Sequence, residues 1–184
     1  MKIIKKIRLI EGREVVVRHP MKGDEKKMLA YINELVKERV YIAHAKKRML
    51  EDEKKFLGTV LKEMRSGNKF TAVFECDGKI ISVIEAWKGT HDKNRHVCEL
   101  ALGLLGEYRS KGLGNAIMDI LIDASRNELK CKIARISVYD LNTVAINLYR
   151  KYGFKEAGRI PHGINHFGKY CDEIIMVKEL SETN

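Results

Sequence analysis

The residues whose types and spacing could do chemistry are concentrated in Glu99-Leu-Ala-Leu-Gly-Leu-Leu-Gly-Glu-Tyr-Arg-Ser-Lys-Gly-Leu-Gly114, an apolar run that passes through a glycine-punctuated loop into a helical pattern. Within Arg109-Ser110-Lys111-Gly112-Leu113-Gly114, two positions carry no side chain. Successive backbone N–H groups can therefore close on an anion, and the following helix adds its positive dipole end. Arg109 and Lys111 bring cationic side chains to the same loop. A Walker phosphate loop is excluded, because Asn115 and Ala116 follow Gly114 where a lysine and a hydroxyl residue are needed. A dinucleotide fingerprint is excluded because Ile117 stands in place of its third glycine.

Two further stretches carry candidates. Glu99 is the one carboxylate inside an otherwise apolar strand, where desolvation raises a carboxyl towards the working range of a general base. The competing reading is a strand-edge glutamate that reaches solvent or pairs with a lysine. In Asn142-Thr-Val-Ala-Ile-Asn-Leu-Tyr-Arg-Lys-Tyr-Gly-Phe154, Asn142 is a natural N-cap and Gly153 a natural terminator, which fixes a short helix at both ends. Helical spacing groups Val144, Leu148 and Tyr152 on one stripe, read as core. Asn142, Ala145 and Tyr149 fall on a neighbouring stripe, free to face a ligand.

The elements that must position these residues follow from periodicity. Arg13 to His19 is β-branched and stops at Pro20, as a first strand does. From Asp24, an expected N-cap, Met28, Ile32 and Leu35 recur at helical spacing, and Leu50 to Arg65 repeats the pattern. Tyr41 to Met49, between the two helices, reads equally as loop or helix end. Phe70–Cys76 and Lys79–Trp87 flank Asp77-Gly78, a strong hairpin signal. Arg95 to Leu105 is the strand feeding the glycine loop; the helix behind it runs to about Lys130, and Ala134–Tyr139 is the next strand. Strand, helix and strand make a βαβ unit whose strands should be parallel. Phe154 to Arg159 and Tyr170 to Glu179 close the chain as strands around an irregular Pro161–Gly168 loop. His162 and His166 in that loop read as surface residues, outside the catalytic set.

The Arg-x-x-Gly-x-Gly loop between strand and helix, and the Asn-x-x-Ala-x-x-Leu-Tyr-x-x-x-Gly-Phe helix, resemble the GNAT superfamily of acyl-CoA-dependent N-acyltransferases, over roughly Arg13 to Leu180. The resemblance implies an α/β, single-domain GNAT-like fold over residues 1–184. Its core spans about 13–180, with a mixed central sheet in the order β-α-α-β-β-β-α-β-α-β-β and helices on both faces. It implies acetyl-CoA or a related acyl-CoA as donor cosubstrate, a primary amine as acceptor, and no metal. Arg109, Ser110, Lys111, Gly112, Leu113 and Gly114 would hold the pyrophosphate of coenzyme A, and Asn142 would meet its pantetheine arm. A backbone N–H in Leu102-Gly103-Leu104, where the strands of the family splay apart, would polarise the thioester carbonyl. Glu99 would be the base and Tyr149 the acid. A phenol of pKa about 10 suits a departing thiolate whose conjugate acid lies near 8.5; the competing reading of Tyr149 is a packed aromatic. A non-catalytic acyl-CoA-binding or regulatory module is the alternative function.

Composition narrows the rest. The 184 residues, 45% hydrophobic, suffice for one domain with a substantial core. Nothing approaches a membrane span or a signal peptide, which points to the cytoplasm. Cys76, Cys98, Cys131 and Cys171 never form a C-x-x-C pair and read as buried thiols. The net charge of +10 is spread among interleaved acids and lacks a nucleic-acid motif, which argues against nucleic acid as the main partner; a homodimer is allowed. An α-amine, of a small molecule or a protein N-terminus, is the expected acceptor, since the net charge repels polycations at long range; a local acidic pocket around Glu99, Asp172 and Glu173 would override that repulsion.

Overall fold

The computed structural model describes residues 2–43 and 45–180; the extremes of the 1–184 domain, residue 1 and residues 181–184, lie outside the described residues. The elements follow in the order β1 (Ile3–Arg8), β2 (Glu14–Arg18), α1 (Glu25–Lys37), α2 (Leu50–Arg65), β3 (Lys69–Cys76), β4 (Lys79–Lys88), β5 (Val97–Leu104), α3 (Leu113–Asp123), β6 (Ile133–Tyr139), α4 (Thr143–Lys151), β7 (Lys155–His166) and β8 (Lys169–Glu179). They form one sheet in the order β1-β2-β3-β4-β5-β6-β8-β7. Every neighbouring pair is antiparallel except β5 and β6, joined by α3 as the βαβ pattern requires.

Helices cover both faces, so the central strands read as almost continuous apolar runs. Met28, Tyr31 and Leu35 of α1 and Leu57 of α2 pack on Val73 and Ile80. On the opposite face, Leu113, Ile117, Met118 and Leu121 of α3 and Ile146 and Tyr149 of α4 meet Phe74, Ile81, Ile84, Leu100 and Ile136. The Asp77-Gly78 turn has both residues at positive φ, 49° and 77°, as a tight hairpin of this hand needs. All four cysteines are buried and unbridged.

Three local expectations are corrected. The basic segment Ile3–Arg8 is an additional edge strand paired with β2. The stretch read as an irregular loop from Pro161 belongs to β7, which crosses it by bulging between Ile160 and Ile164, with His162 at φ 55°. A proline is compatible with an edge strand at a bulge because no ladder donor is required there. Asp24 precedes α1 but its side chain does not cap it. Instead its carboxylate takes both ends of the buried Arg18 guanidinium, at 2.7 and 2.8 Å, and accepts the Met21 N–H at 2.8 Å. Arg18 Nε reaches on to Glu75 at 2.8 Å, so one guanidinium ties β2, β3 and the start of α1 together.

Burial alone would raise the Asp24 carboxyl, but the Arg18 and Met21 hydrogen bonds outweigh it and hold it below the ordinary aspartate value of 3.8. Asp24→Ala should lower the unfolding free energy by about 3–5 kcal/mol at pH 7, because it leaves a buried cation short of its partner. A group with a depressed folded pKa stabilises fully above its unfolded value and loses that contribution as pH falls through the folded one. The gap between wild type and variant in urea unfolding should therefore be constant above about pH 5 and close as acid protonates Asp24.

Candidate active site

β5 pairs with β4 along its length, from Lys88↔Cys98 to Ser82↔Leu104. It pairs with β6 only at Val97↔Ile133, Cys98↔Ala134 and Glu99↔Arg135. Beyond Glu99 the two parallel strands separate. The Lys132 and Ile133 N–H groups donate to the His96 carbonyl, whereas Gly89 donates to Val97 and Leu105 donates to Ile81 on the other edge. Strand alternation then turns the peptide groups of Leu100, Leu102 and Leu104 towards the gap and those of Ala101 and Gly103 towards β4. The Leu104 carbonyl is occupied by the Arg109 guanidinium, with Nε at 3.0 Å and Nη2 at 2.8 Å. Of the three positions read from the sequence, Leu102 thus presents a backbone N–H at the mouth of the gap, while Gly103 is turned away from it.

The glycine loop follows immediately. After a single turn over Gly106–Tyr108, Ser110 and Gly112 both adopt positive φ, 60° and 80°, and α3 begins at Leu113. Among the described residues, the N–H groups of Ser110, Lys111, Gly112, Leu113 and Gly114 have no acceptor within the chain. Five successive donors without partners, at a helix N-terminus beside the end of the β5–β6 ladder, make a cradle that suits an anion. The two glycines serve different ends. At Gly112 a Cβ would meet nothing, and the φ of +80° is what requires glycine; at Gly114 a Cβ would lie 3.3 Å from Leu148 Cδ2, so this residue lets α3 approach α4. The two basic side chains of the loop are engaged elsewhere: Lys111 Nζ lies 2.6 Å from Glu11, and Arg109 also pairs with Glu38.

α4 carries the second set. Asn142 caps it, accepting the Ala145 N–H at 3.2 Å, and its amide nitrogen has no partner among the described residues. The two stripes expected of this helix are corrected. Val144 is 80% exposed, whereas Tyr149 is buried beside Ile146 and packs against Phe154. The reason is that α4 packs on two surfaces at once. Ile146 and Tyr149 sit on the sheet, while Leu148 and Tyr152 turn to α3, where the Tyr152 hydroxyl donates to the Asn115 carbonyl at 3.0 Å and lies 3.0 Å from Asp119. Burial pushes the Tyr149 phenol well above its ordinary value, and its hydroxyl has no hydrogen-bond partner among the described residues. The burial of Tyr149 against Phe154 is what the packed-aromatic reading of this residue requires, and the raised phenol stays protonated at neutral pH.

Glu99 points to the face covered by α1 and α2. It is half-buried and stands 3.3 Å from Arg135 Nε on the last rung before the strands part. Burial pushes its carboxyl up; Arg135 opposes this and Glu173 adds to it. The partner is thus an arginine on the neighbouring strand, not a lysine. Asp172 is removed from the expected acidic pocket: it pairs with Arg159 at 3.1 Å and accepts the His162 N–H at 2.9 Å at the sheet edge. Tyr41 and Tyr139, not singled out in the sequence, complete this side together with His166, which is half-buried between them and not the surface residue expected. The Tyr139 hydroxyl donates to the Ile42 carbonyl at 2.9 Å, and the rings of Tyr41, Tyr139 and His166 lie within 4.9–5.8 Å of one another. The alternation Arg135, Ser137, Tyr139 in β6 was the available signal for a polar face. Among the described residues, no group of three His, Cys, Asp or Glu side chains could hold a metal ion, and no helix is long and apolar enough to cross a membrane.

An open parallel pair beside a donor-lined glycine loop, in a mixed sheet with helices on both faces, defines the class of fold. The profile of the Acetyltransferase (GNAT) family matches residues 30–154, and the chain belongs to that family. A spermine/spermidine N(1)-acetyltransferase of Bacillus subtilis is 34% identical over 73 residues, which cover 40% of this chain and 43% of that protein. An L-amino acid N-acetyltransferase of Escherichia coli is 24% identical over 102 residues, 55% of this chain and 63% of that protein. The chain thus spans less than two thirds of the length of these curated relatives. A putative acetyltransferase of Salmonella typhimurium, solved with its cofactor acetyl-CoA, superposes with a TM-score of 0.79 at 20% identity, covering 92% of this chain and 95% of that one.

Acetyl-CoA at about 100 times its Kd should stabilise the wild type by about 2.7 kcal/mol, read as a rise in Tm. Gly112→Val should abolish that rise, because valine resists positive φ and its branches enter the cradle. Gly114→Ala should keep most of it, since the contact it makes is with Leu148. A full shift in folded Gly112→Val would remove the loop from the site.

Proposed function

We propose that the protein transfers an acetyl group from acetyl-CoA to a primary amine, preferentially an α-amine of a small molecule or a protein N-terminus. The observation that carries this reading is the parting of β5 and β6 after the Glu99–Arg135 rung, with unpartnered N–H donors on the cofactor side and a half-buried carboxylate on the other. Ser110 to Gly114 would hold the pyrophosphate, the free amide of Asn142 would meet the pantetheine arm, and the Leu102 N–H would polarise the thioester carbonyl. The amine attacks that carbonyl, forming the C–N bond as the C–S bond breaks. Glu99 takes the ammonium proton, directly or through water, before the attack; as the C–S bond breaks, Tyr149 gives its proton to the thiolate and its phenolate recovers the proton that the nitrogen sheds on becoming an amide.

Proton cost favours the α-amine. At pH 7 an amine of pKa about 7.8 is roughly one-seventh free base, whereas a lysine near 10.4 is free about four times in ten thousand. Glu99 faces Arg135 as well as Glu173, so the base sits in a mixed field that does not concentrate polycations, and the net charge of +10 repels them at long range. The named relatives divide between polyamines and L-amino acids, which makes the acceptor a matter for competition.

Tyr149→Phe should lower kcat by about 10²-fold with little change in acetyl-CoA affinity; an unchanged kcat would mean that water protonates the thiolate. In kcat/KM against pH, the inflection at an elevated Glu99 pKa should disappear in Glu99→Gln, leaving that of the amine itself, and should move to higher pH in Arg135→Gln, which removes the opposing charge. Free-CoA release should then be compared for an amino acid, a peptide with a free N-terminus, the same peptide blocked but carrying lysine, and spermidine. Preference for either of the last two overturns the acceptor reading, and binding without turnover across the panel would make the protein a cofactor-binding module.

A further inference from the structure

One carboxylate touches both halves of the site. Glu38 is the residue that ends α1; its Oε1 accepts the Gly106 N–H at 2.9 Å and its Oε2 pairs with Arg109 Nη2, although these groups lie 68 and 71 residues further along the chain. The same guanidinium holds the Leu104 carbonyl, so Glu38 fixes the exit of β5 and the entrance of the glycine loop together. Gly106 is suited to this contact, since a Cβ there would come within 3.2 Å of the carboxylate. In the other direction the chain turns sharply, with Arg39 at φ 53° and stacked 4.2 Å from the Phe167 ring, and then lays Tyr41 against Tyr139 and His166. Ile42 closes the contact by accepting the Tyr139 hydroxyl. The wall formed by residues 39–43 therefore hangs from the residue that clamps the cofactor loop.

We propose that Glu38 is a positioning residue that couples the two substrate sites: occupancy of the glycine loop tightens the 39–43 wall on the acceptor side. The proposal rests on the assignment of the loop to coenzyme A. Anion binding to the Ser110–Gly114 N–H groups restrains the loop, the restrained loop holds Gly106 N–H and Arg109 against Glu38, and a held Glu38 limits the fluctuations of the segment that follows it. Two sites that restrain one shared element favour each other's occupancy by the same factor.

The test is amide hydrogen exchange with and without coenzyme A, which needs no acceptor. In the wild type, coenzyme A should slow exchange in residues 106–114 and also in residues 39–43, the latter by about fivefold, the lower end of ordinary coupling factors. In Glu38→Ala, protection should remain in 106–114 and vanish from 39–43. Glu38→Gln keeps an acceptor for Gly106 but loses the charge facing Arg109, so its protection of 39–43 should fall between the two. Because each reading is a difference caused by coenzyme A in one protein, general destabilisation of a variant does not imitate it. Protection confined to 106–114 in the wild type, or retained at 39–43 in Glu38→Ala, overturns the coupling while leaving the loop assignment standing. Absence of protection from 106–114 in the wild type overturns both.

Discussion

Everything functional in this fold depends on a sheet that stops being a sheet at one rung. β5 and β6 are held in register for three pairs and then released, while β5 stays bonded to β4 along its other edge. A parallel pair interior to a sheet normally satisfies its own donors and acceptors, and leaving them unpaired in a buried setting costs about 1–3 kcal/mol for each group. The fold limits that cost by turning part of the exposed edge inward. Arg109 takes the Leu104 carbonyl, the chain leaves β5 as a tight turn, and the remaining donors are gathered in the loop before α3. What stays unsatisfied is a directed set of N–H groups, and such a set is useful only to a ligand that brings acceptors.

The two helix pairs hold this opening in place by different physics. α3 and α4 are held by close approach, with Gly114 under Leu148 and the Tyr152 hydroxyl on the Asn115 carbonyl, which fixes the first turn of α3 against α4. α1 and α2 rest on the sheet through an apolar cluster, and α1 is in addition tied by charge at both ends. Arg18 anchors the start of α1 through Asp24, and Glu38 anchors its end to the loop. The two helix pairs thus differ in kind, one pair meeting through interlocked apolar surfaces and the other carrying directional charged contacts at the ends of α1.

The glycine loop and the ends of α4 were legible in the sequence because their requirements are local. Positive φ at Gly112, a cap at Asn142 and a terminator at Gly153 are demands of single backbone positions, and each leaves a mark on residue type. The acceptor side was not, because its parts meet only across strands. Glu99 and Arg135 become neighbours through a parallel register, Glu173 arrives on β8, and the Glu38 carboxylate reaches Gly106 from another element. The misread residues fail for the same reason. Asp24 has the composition of a cap, but a buried arginine competes for its carboxylate, and Val144 has the spacing of a core residue in a helix that divides its apolar contacts between two partners.

The sheet is open, with β1 and β7 at its borders, and both borders are spoiled as templates for another strand. β1 is short and carries Lys5 and Lys6, with a break in its own pairing between Ile3 and Lys5. β7 is long and exposed but is kinked twice, at Glu156/Gly158 and at Ile160/Ile164, with Pro161 lacking a donor inside the second kink. A copy of the chain aligning along either border would meet repelling ammonium groups or lose register within a few residues. An eight-stranded sheet with one interior seam already open can thus remain a closed unit, because the two places where growth would begin are the places least able to continue it.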